Sequence, residues 1–203
     1  MLASLAMSDV SVILPCLNEV ASVAAVVAEA KRALCSAGVE GEVIVVDNGS
    51  TDGSGEAAAG AGARVIREGR RGYGAAYLAG FKAASGDVIV MADADGTYDF
   101  GSLPLFLNRI RAGDDFVIGS RYRGSMEKGA MPPLHRYFGN PMLSRLVNLL
   151  YRAGIGDSYC GMRAFRRDAL PRLHLRMPGM ELALEMIVNA TRAGLHIGEV
   201  PIH

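Results

Sequence analysis

Four times between Val10 and Gly119 the sequence sets a short, nearly unbroken apolar run and then ends it in a cluster of polar side chains. Val10 to Leu14 leads into Pro15-Cys-Leu-Asn18-Glu19, and Glu42 to Val46 into Asp47-Asn48-Gly49-Ser50-Thr51-Asp52. Asp87 to Ala92 leads into Asp93 and Asp95, and Asp115 to Gly119 into Ser120-Arg121-Tyr122-Arg123. Runs of this length without alternation read as strands covered on both faces, as in parallel sheets. A weaker strand is expected over Ala63 to Arg67. Alanine-rich helical segments fall between the runs: Ala21 to Ala37, Gly53 to Ala61, Gly74 to Ala84 and Leu103 to Ala112. Ser50, Thr51 and Asp52 stand where they would cap one helix, and Ser102 where it would cap another. Strand–helix alternation predicts right-handed crossovers in an α/β fold, a doubly wound and mostly parallel sheet covered by helices on both faces. Such sheets bind ligands at the carboxyl ends of their strands, where all four polar clusters lie.

Beyond Arg123 the pattern loosens. Gly124 to Pro133 reads as a loop, and Leu134 to Ala153 as a long helix that Gly139 and Pro141 could break or kink. Its apolar face (Tyr137, Phe138, Met142, Leu146, Leu149, Leu150) carries scattered arginines. That face fits either a cover for the sheet or a surface lying on a membrane. Asp157 to Phe165 reads as loop and strand, Met180 to Ala193 as a helix, and His196 to Val200 as a final strand.

The chain has 203 residues, enough for one well-filled core, so a single domain spanning 1–203 is expected, with 1–8 flexible. A formal charge of zero and an apolar half exclude disorder and give no sign of a nucleic-acid binder. Three scattered cysteines and four histidines without ligand spacing argue against zinc and disulfides and fit a reducing, cytoplasmic compartment. The first residues lack the basic start and long apolar core of a signal peptide, and Met7 could be the true start. No apolar stretch approaches the length of a membrane span.

Two carboxylates converging at one strand end repel unless a cation lies between them. A hydrated divalent ion carrying a ligand's phosphates is the natural candidate for Asp93 and Asp95. Asp47, at the end of its own strand, could accept from a base N–H or a ribose hydroxyl, whereas Asp52 reads more simply as a cap and Glu19 as a partner of a helix N-terminus. Arg70 and Arg71, among Gly69, Gly72 and Gly74, make a loop suited to phosphates. The glycine spacing is not that of a dinucleotide fingerprint, and no P-loop is present. Arg121, Arg123 and Arg136 add positive charge opposite the carboxylates.

Taken as an ordered series, these segments resemble a known family. Val-Ile-Leu-Pro15-x-x-Asn18-Glu19, Val-Val-Asp47-Asn48-Gly-Ser-Thr-Asp52-Gly, Gly72-Tyr-Gly74-Ala-Ala-Tyr, Asp93-Ala-Asp95, Gly119-Ser-Arg121-Tyr, Cys160-Gly-Met-Arg163-Ala-Phe and Glu185-Met-Ile-Val resemble the family 2 glycosyltransferases. Within that family the chain is most similar to the dolichyl- or polyprenyl-phosphate mannosyl- and glucosyltransferases. The resemblance runs from Asp9 to His203. It implies a GT-A (Rossmann-like, nucleotide-diphospho-sugar transferase) fold, a GDP- or UDP-hexose donor, Mg²⁺ or Mn²⁺, and inversion at the anomeric carbon. By position, Pro15, Leu17, Glu19, Val46 and Asn48 would line the nucleoside pocket, with Asp47, Arg70, Arg71 and Ala94 beside them. Asp93 would contact nucleotide and metal, and Asp95 would be the main metal ligand. Arg121 and Arg136 would hold phosphates of donor or acceptor, with Asp157 in reserve as a base for a hydroxyl acceptor.

The chain departs from the family pattern in three places. Leu17 stands where an aromatic residue is frequent, Asn48 where a second aspartate is usual, and Gly96-Thr97-Tyr98-Asp99 where Leu-Gln-His-Pro is commoner. Family members also continue past the Glu199-Val-Pro-Ile segment, so a longer parent chain is expected. The expected partner is a lipid phosphate at the cytoplasmic face of a membrane, which the enzyme would meet peripherally. A phosphate monoester is already ionised near neutral pH and needs positioning rather than a base. Three alternatives stay open: a family 2 enzyme with a polysaccharide or small-molecule hydroxyl acceptor, a sugar nucleotidyltransferase, and a catalytically silent nucleotide- or lipid-binding module.

Overall fold

The computed structural model describes residues 9–124, 140–151 and 153–202. Among the described residues seven strands form one sheet: β1 (Val10–Cys16), β2 (Gly41–Asp47), β3 (Arg64–Arg67), β4 (Val88–Met91), β5 (Phe116–Ser120), β6 (Arg163–Arg166) and β7 (Ile197–Pro201). Their spatial order is β3-β2-β1-β4-β6-β5-β7. All neighbours are parallel except β6, which runs antiparallel to both β4 and β5. Its register pairs Met91 with Arg163 and Ile118 with the same Arg163, so the chain enters β6 from the carboxyl ends of its neighbours. The loop preceding it therefore lies on the same edge as the polar clusters.

Around the sheet the described residues form helices α1 (Val23–Ser36), α2 (Ser54–Gly60), α3 (Tyr73–Ala83), α4 (Leu103–Arg111), α5 (Asn140–Tyr151), α6 (Leu170–Leu173) and α7 (Leu182–Arg192). Val23, Val26, Val27, Ala30 and Leu34 recur at helical spacing along α1 and are all buried. On the opposite face α3 packs on β1 and β2 so closely that a Cβ on Gly80 would stand 3.1 Å from Val46. Deleting volume anywhere in such a close-packed layer costs about 2–5 kcal/mol per large side chain.

The predicted elements occur where they are described, with ends shifted by one or two residues; the loop expected over Gly124 to Pro133 lies, past Gly124, outside the described residues, and two capping expectations change. The helix expected over Leu134 to Ala153 is described only as Asn140–Tyr151; Arg136, Tyr137 and Phe138 lie outside the described residues. Ser102 makes no capping bond. Instead the Asp99 carboxylate accepts from Gly101 N at 2.7 Å and caps the 3₁₀ turn Phe100–Ser102 ahead of α4. At α2 the N-cap is Gly53, in the left-handed region (φ 91°) and without a side-chain cap. Asp52 serves the adjacent turn, accepting from Ser54 N at 3.0 Å with one oxygen and from Val20 N at 3.0 Å with the other.

The crossovers from β1 lead outward to β2 and β3, while β4 lies on its other side. The boundary between β1 and β4 is thus the switch point where doubly wound sheets leave a crevice. Asp93 and Asp95 follow the end of β4 there.

Candidate active site

The loop after β1 and the loop after β2 are stitched together. Asn18, held at φ 59°, donates its N–H to Ser50 Oγ (3.0 Å) and accepts from Thr51 N on its side chain (2.9 Å). Glu19 N donates to Ser54 Oγ at 2.8 Å. A third tie runs to the carboxylate segment, since Ser22 Oγ donates to Ala94 O at 2.9 Å. Pro15, Leu17 and Glu19 therefore sit on a braced ledge beside Ala94, with Leu17 exposed and Ala94 buried. Val46 and Asp47 are buried at the end of β2, where Asp47 accepts from Ser50 N at 2.8 Å.

Asn48 explains itself through its bonds. Its amide nitrogen donates to Glu68 O and Arg70 O, both at 2.9 Å, and its oxygen accepts from Gly72 N at 2.8 Å. An aspartate in its place would lose both donors, so Asn48 itself holds the loop bearing Arg70 and Arg71. Both arginines are exposed, and the Arg71 guanidinium passes 4.0 Å from the position of a Cβ on Gly49. Gly72 and Gly74 owe their identity to packing: any Cβ would strike Pro178 O or Met177 O, where the segment before α7 crosses the start of α3.

The two carboxylates differ in their surroundings. Asp95 is exposed and accepts from Thr97 N at 2.8 Å. Asp93 is largely buried and accepts from Tyr73 OH at 3.2 Å. Burial first, and the neighbouring Asp95 second, raise its pKa to about 6. Beneath it lies a polar floor. Tyr98 OH accepts from Gly161 N at 2.7 Å, and a Cβ on Gly161 would stand 3.0 Å from Asp93 Oδ2. Arg163 is fully buried and donates to Cys160 O (2.9 Å), Ala183 O (2.6 Å) and Ser158 O (3.0 Å). Its charge acts to lower the Asp93 pKa, a smaller influence than burial. The Cys160 thiol, pushed up to about 12 by burial and then by Asp157, is no nucleophile.

Arg121 and Asp157 form a bidentate pair, with Nε to Oδ2 at 2.7 Å and Nη2 to Oδ1 at 2.8 Å. Asp157 is fully buried. Burial works to lower the Arg121 pKa, but the carboxylate outweighs it and the pKa is raised, so the guanidinium keeps its charge. The loop carrying Asp157 is held by Glu199 on β7, whose Oε1 accepts from Gly156 N (2.9 Å) and Asp157 N (3.2 Å), while its Oε2 meets Arg123 Nε at 2.9 Å. Arg136 lies outside the described residues.

Sequence reading did not single out Tyr73, Tyr98, Arg163 or Glu199 as site residues. Arg163 left a trace that could have been followed, an arginine opening a short strand directly before the apolar pair Ala164 and Phe165. The others gain their meaning only from contacts distant in sequence. Among the described residues no three His, Cys, Asp or Glu side chains group as a metal site. Two carboxylates, one of them exposed, suit an ion that takes its remaining ligands from a diphosphate.

The seven-stranded, mostly parallel sheet with an aspartate pair at its switch point agrees with the GT-A glycosyltransferase fold expected from the sequence, and solved structures of that fold superpose on it. Residues 11–173 match the family described as Glycosyl transferase family 2, and the chain belongs to that family of glycosyltransferases. It is 47% identical over 193 residues to a low-salt glycan biosynthesis hexosyltransferase of Haloferax volcanii, covering 95% of this chain but 46% of that protein. It is 37% identical to a dolichyl-phosphate hexose transferase of the same organism, covering 96% of this chain and 82% of that one. Crystal structures of glucosyl-3-phosphoglycerate synthase from Mycobacterium tuberculosis share the fold. One superposes with TM-score 0.77 at 26% identity, covering 96% of this chain and 72% of its own. Another, with TM-score 0.76 at 25% identity over 96% of this chain and 70% of its own, holds Mn²⁺, UDP-glucose and phosphoglyceric acid. The chain thus spans about half the length of the first relative and most of the others.

Proposed function

We propose that this chain is the catalytic domain of an inverting hexosyltransferase that moves mannose or glucose from a UDP- or GDP-sugar to a polyprenyl phosphate. The observation that carries the acceptor is the Arg121–Asp157 pair. Both carboxylate oxygens are engaged and the group is buried, so taking a proton from a hydroxyl would first require breaking a bidentate ion pair. A charged guanidinium at the mouth instead favours an acceptor that arrives as an anion. A phosphate oxygen would attack the anomeric carbon in line as the sugar's bond to the nucleoside diphosphate breaks, and the displaced diphosphate would leave with the electron pair. The similarity to a dolichyl-phosphate hexose transferase over 96% of this chain supports the same acceptor class.

Asp95, with Asp93 behind it, would hold Mg²⁺ or Mn²⁺. A bound ion supplies charge to stabilise the departing diphosphate. The chain's own residues would do the rest: the ledge of Pro15, Leu17 and Glu19, with Asp47 at the end of β2, would receive the nucleoside, Arg70 and Arg71 would approach its phosphates, and Tyr73 would fix the Asp93 carboxylate. One observation favours a second reading. Solved neighbours hold phosphoglyceric acid beside UDP-glucose, so a small phosphorylated acid is the rival acceptor.

The deciding experiment incubates the protein with Mn²⁺, a panel of UDP- and GDP-hexoses, and either a short-chain prenyl phosphate or phosphoglyceric acid. Radiolabelled hexose should appear on the prenyl phosphate. Transfer to phosphoglyceric acid alone would overturn the lipid acceptor. Unchanged transfer by Asp95→Asn would overturn the metal assignment.

A further inference from the structure

The α5 sequence offered two destinations for its apolar residues, and the structure separates them. Ser144 and Val147 face inward; Ser144 meets Ser158 Oγ at 3.0 Å, one residue from the buried Asp157. Asn148 fixes the far end by donating to Ile155 O and accepting from Ile155 N. Met142, Leu146, Leu149 and Leu150 face outward and are 70%, 47%, 78% and 62% exposed. Their spacing confines them to a stripe of about 100° on the helix surface. The helix is thus docked by a polar inner edge and carries its largest apolar side chains into the open.

Charge indicates what covers this face. Arg145, exposed, flanks the stripe, and α5 has no acidic residue. From residue 128 to 156 the sequence contains Lys128, Arg136, Arg145 and Arg152 and not one Asp or Glu. A second copy apposed through the same face would bring like charges together with nothing on the helix to pair them. Four side chains also fall short of the roughly 800 Å² per partner of a standard interface. An apolar stripe flanked by arginine matches instead the two signals, shallow insertion and attraction to anionic headgroups, that hold a helix reversibly on a bilayer.

We propose that the outer face of α5 is a docking surface for an anionic lipid bilayer. It would present the Arg121–Asp157 pair, one packing layer away, at headgroup depth. The proposal deepens the lipid-phosphate reading and rests on it for its purpose: the acceptor's phosphate would reach Arg121 while its tail stays among the acyl chains.

The chain contains no tryptophan, so Leu149→Trp gives a single probe on the stripe. Its emission should be solvent-like in buffer, then shift to the blue and be quenched by brominated acyl chains on adding vesicles of phosphatidylcholine with phosphatidylglycerol. Pure phosphatidylcholine should act more weakly. Leu149→Glu should reduce co-sedimentation with the anionic vesicles by about tenfold or more. Leu150→Trp repeats the measurement from a neighbouring position. Emission already blue and shielded in buffer would mean that protein covers the face, and would overturn the proposal. So would emission that ignores both vesicle types, or a wild-type dimer that Leu149→Glu dissociates. Transfer assays separate this failure from that of the acceptor. Leu149→Glu should spare transfer to a water-soluble prenyl phosphate and depress transfer to a vesicle-borne one. Docking without transfer to either phosphate would refute the acceptor and leave the surface standing.

Discussion

Replacing Asp93 by asparagine should make the metal-free protein more stable while weakening its hold on Mn²⁺. Asp93 carries a pKa near 6 in the fold against an ordinary 3.8, because burial and the adjacent Asp95 disfavour its charge. A pKa raised in the folded state means that the native protein holds a proton the unfolded chain has released between pH ~4 and ~6. Stability therefore falls as pH rises through that window and levels off above it. At 1.36 kcal/mol per unit the ionised group costs up to about 3 kcal/mol at neutral pH; about 2 is the working figure for a side chain with residual exposure. The introduced amide would keep an oxygen for the Tyr73 hydroxyl and shed the charge. For a chain of this length about 2 kcal/mol corresponds to roughly 4–8 °C in Tm. The assay is thermal unfolding of both proteins in EDTA from pH 5 to 8, read as the difference between them so that other titrations cancel. The variant should lead at pH 8, and the gap should narrow towards pH 5. Added Mn²⁺ with UDP or GDP should raise the wild-type Tm and leave the variant's nearly unchanged. A variant less stable than wild type at pH 8, or a gap that ignores pH, would refute the buried-charge account.

Other substitutions test the scaffold around this centre. Asn48→Asp should cost about 2–4 kcal/mol, because the Glu68 and Arg70 carbonyls lose their donors to a carboxylate that repels them. Urea unfolding measures that loss, and steady-state kinetics should show donor KM rising more than kcat falls as the Arg70–Arg71 loop slackens. Arg163→Met should destabilise by about 3–5 kcal/mol, since three buried carbonyls lose a charged donor; calorimetry reads it directly. Glu199→Gln should change stability by under about 1 kcal/mol, because an amide oxygen still accepts from Gly156 and Asp157 and the Arg123 partner is exposed. Glu199→Ala, which leaves both N–H groups unmet, should cost about 2 kcal/mol in the same unfolding assay and raise acceptor KM.

The strands were legible because each buried parallel strand needs an apolar run and each run ends where the chain turns, so Asp47, Asp93 and Arg121 could be placed at strand ends from the sequence alone. The antiparallel direction of β6 was not legible. Arg163 to Arg166 is too short to encode orientation, which is set by its pairing with β4 and β5, distant in sequence. The same limit governs the site. Ser102 had the composition of a cap, yet Asp99 makes the bond, because the chain enters α4 through a 3₁₀ turn that no local preference announces. Asp93 and Asp95 are identical in kind and one residue apart. Only the third dimension leaves one exposed to solvent and buries the other, with a raised pKa, above Tyr73, Tyr98 and Gly161. A motif therefore fixes which groups arrive at the crevice, whereas the protonation of Asp93 is set by burial and by neighbours from α3, the loop after β4 and β6. If that division holds, altering Tyr73 or Arg163 should move the titration of Asp93 and the affinity for metal while leaving every residue of the Asp93-Ala-Asp95 motif in place.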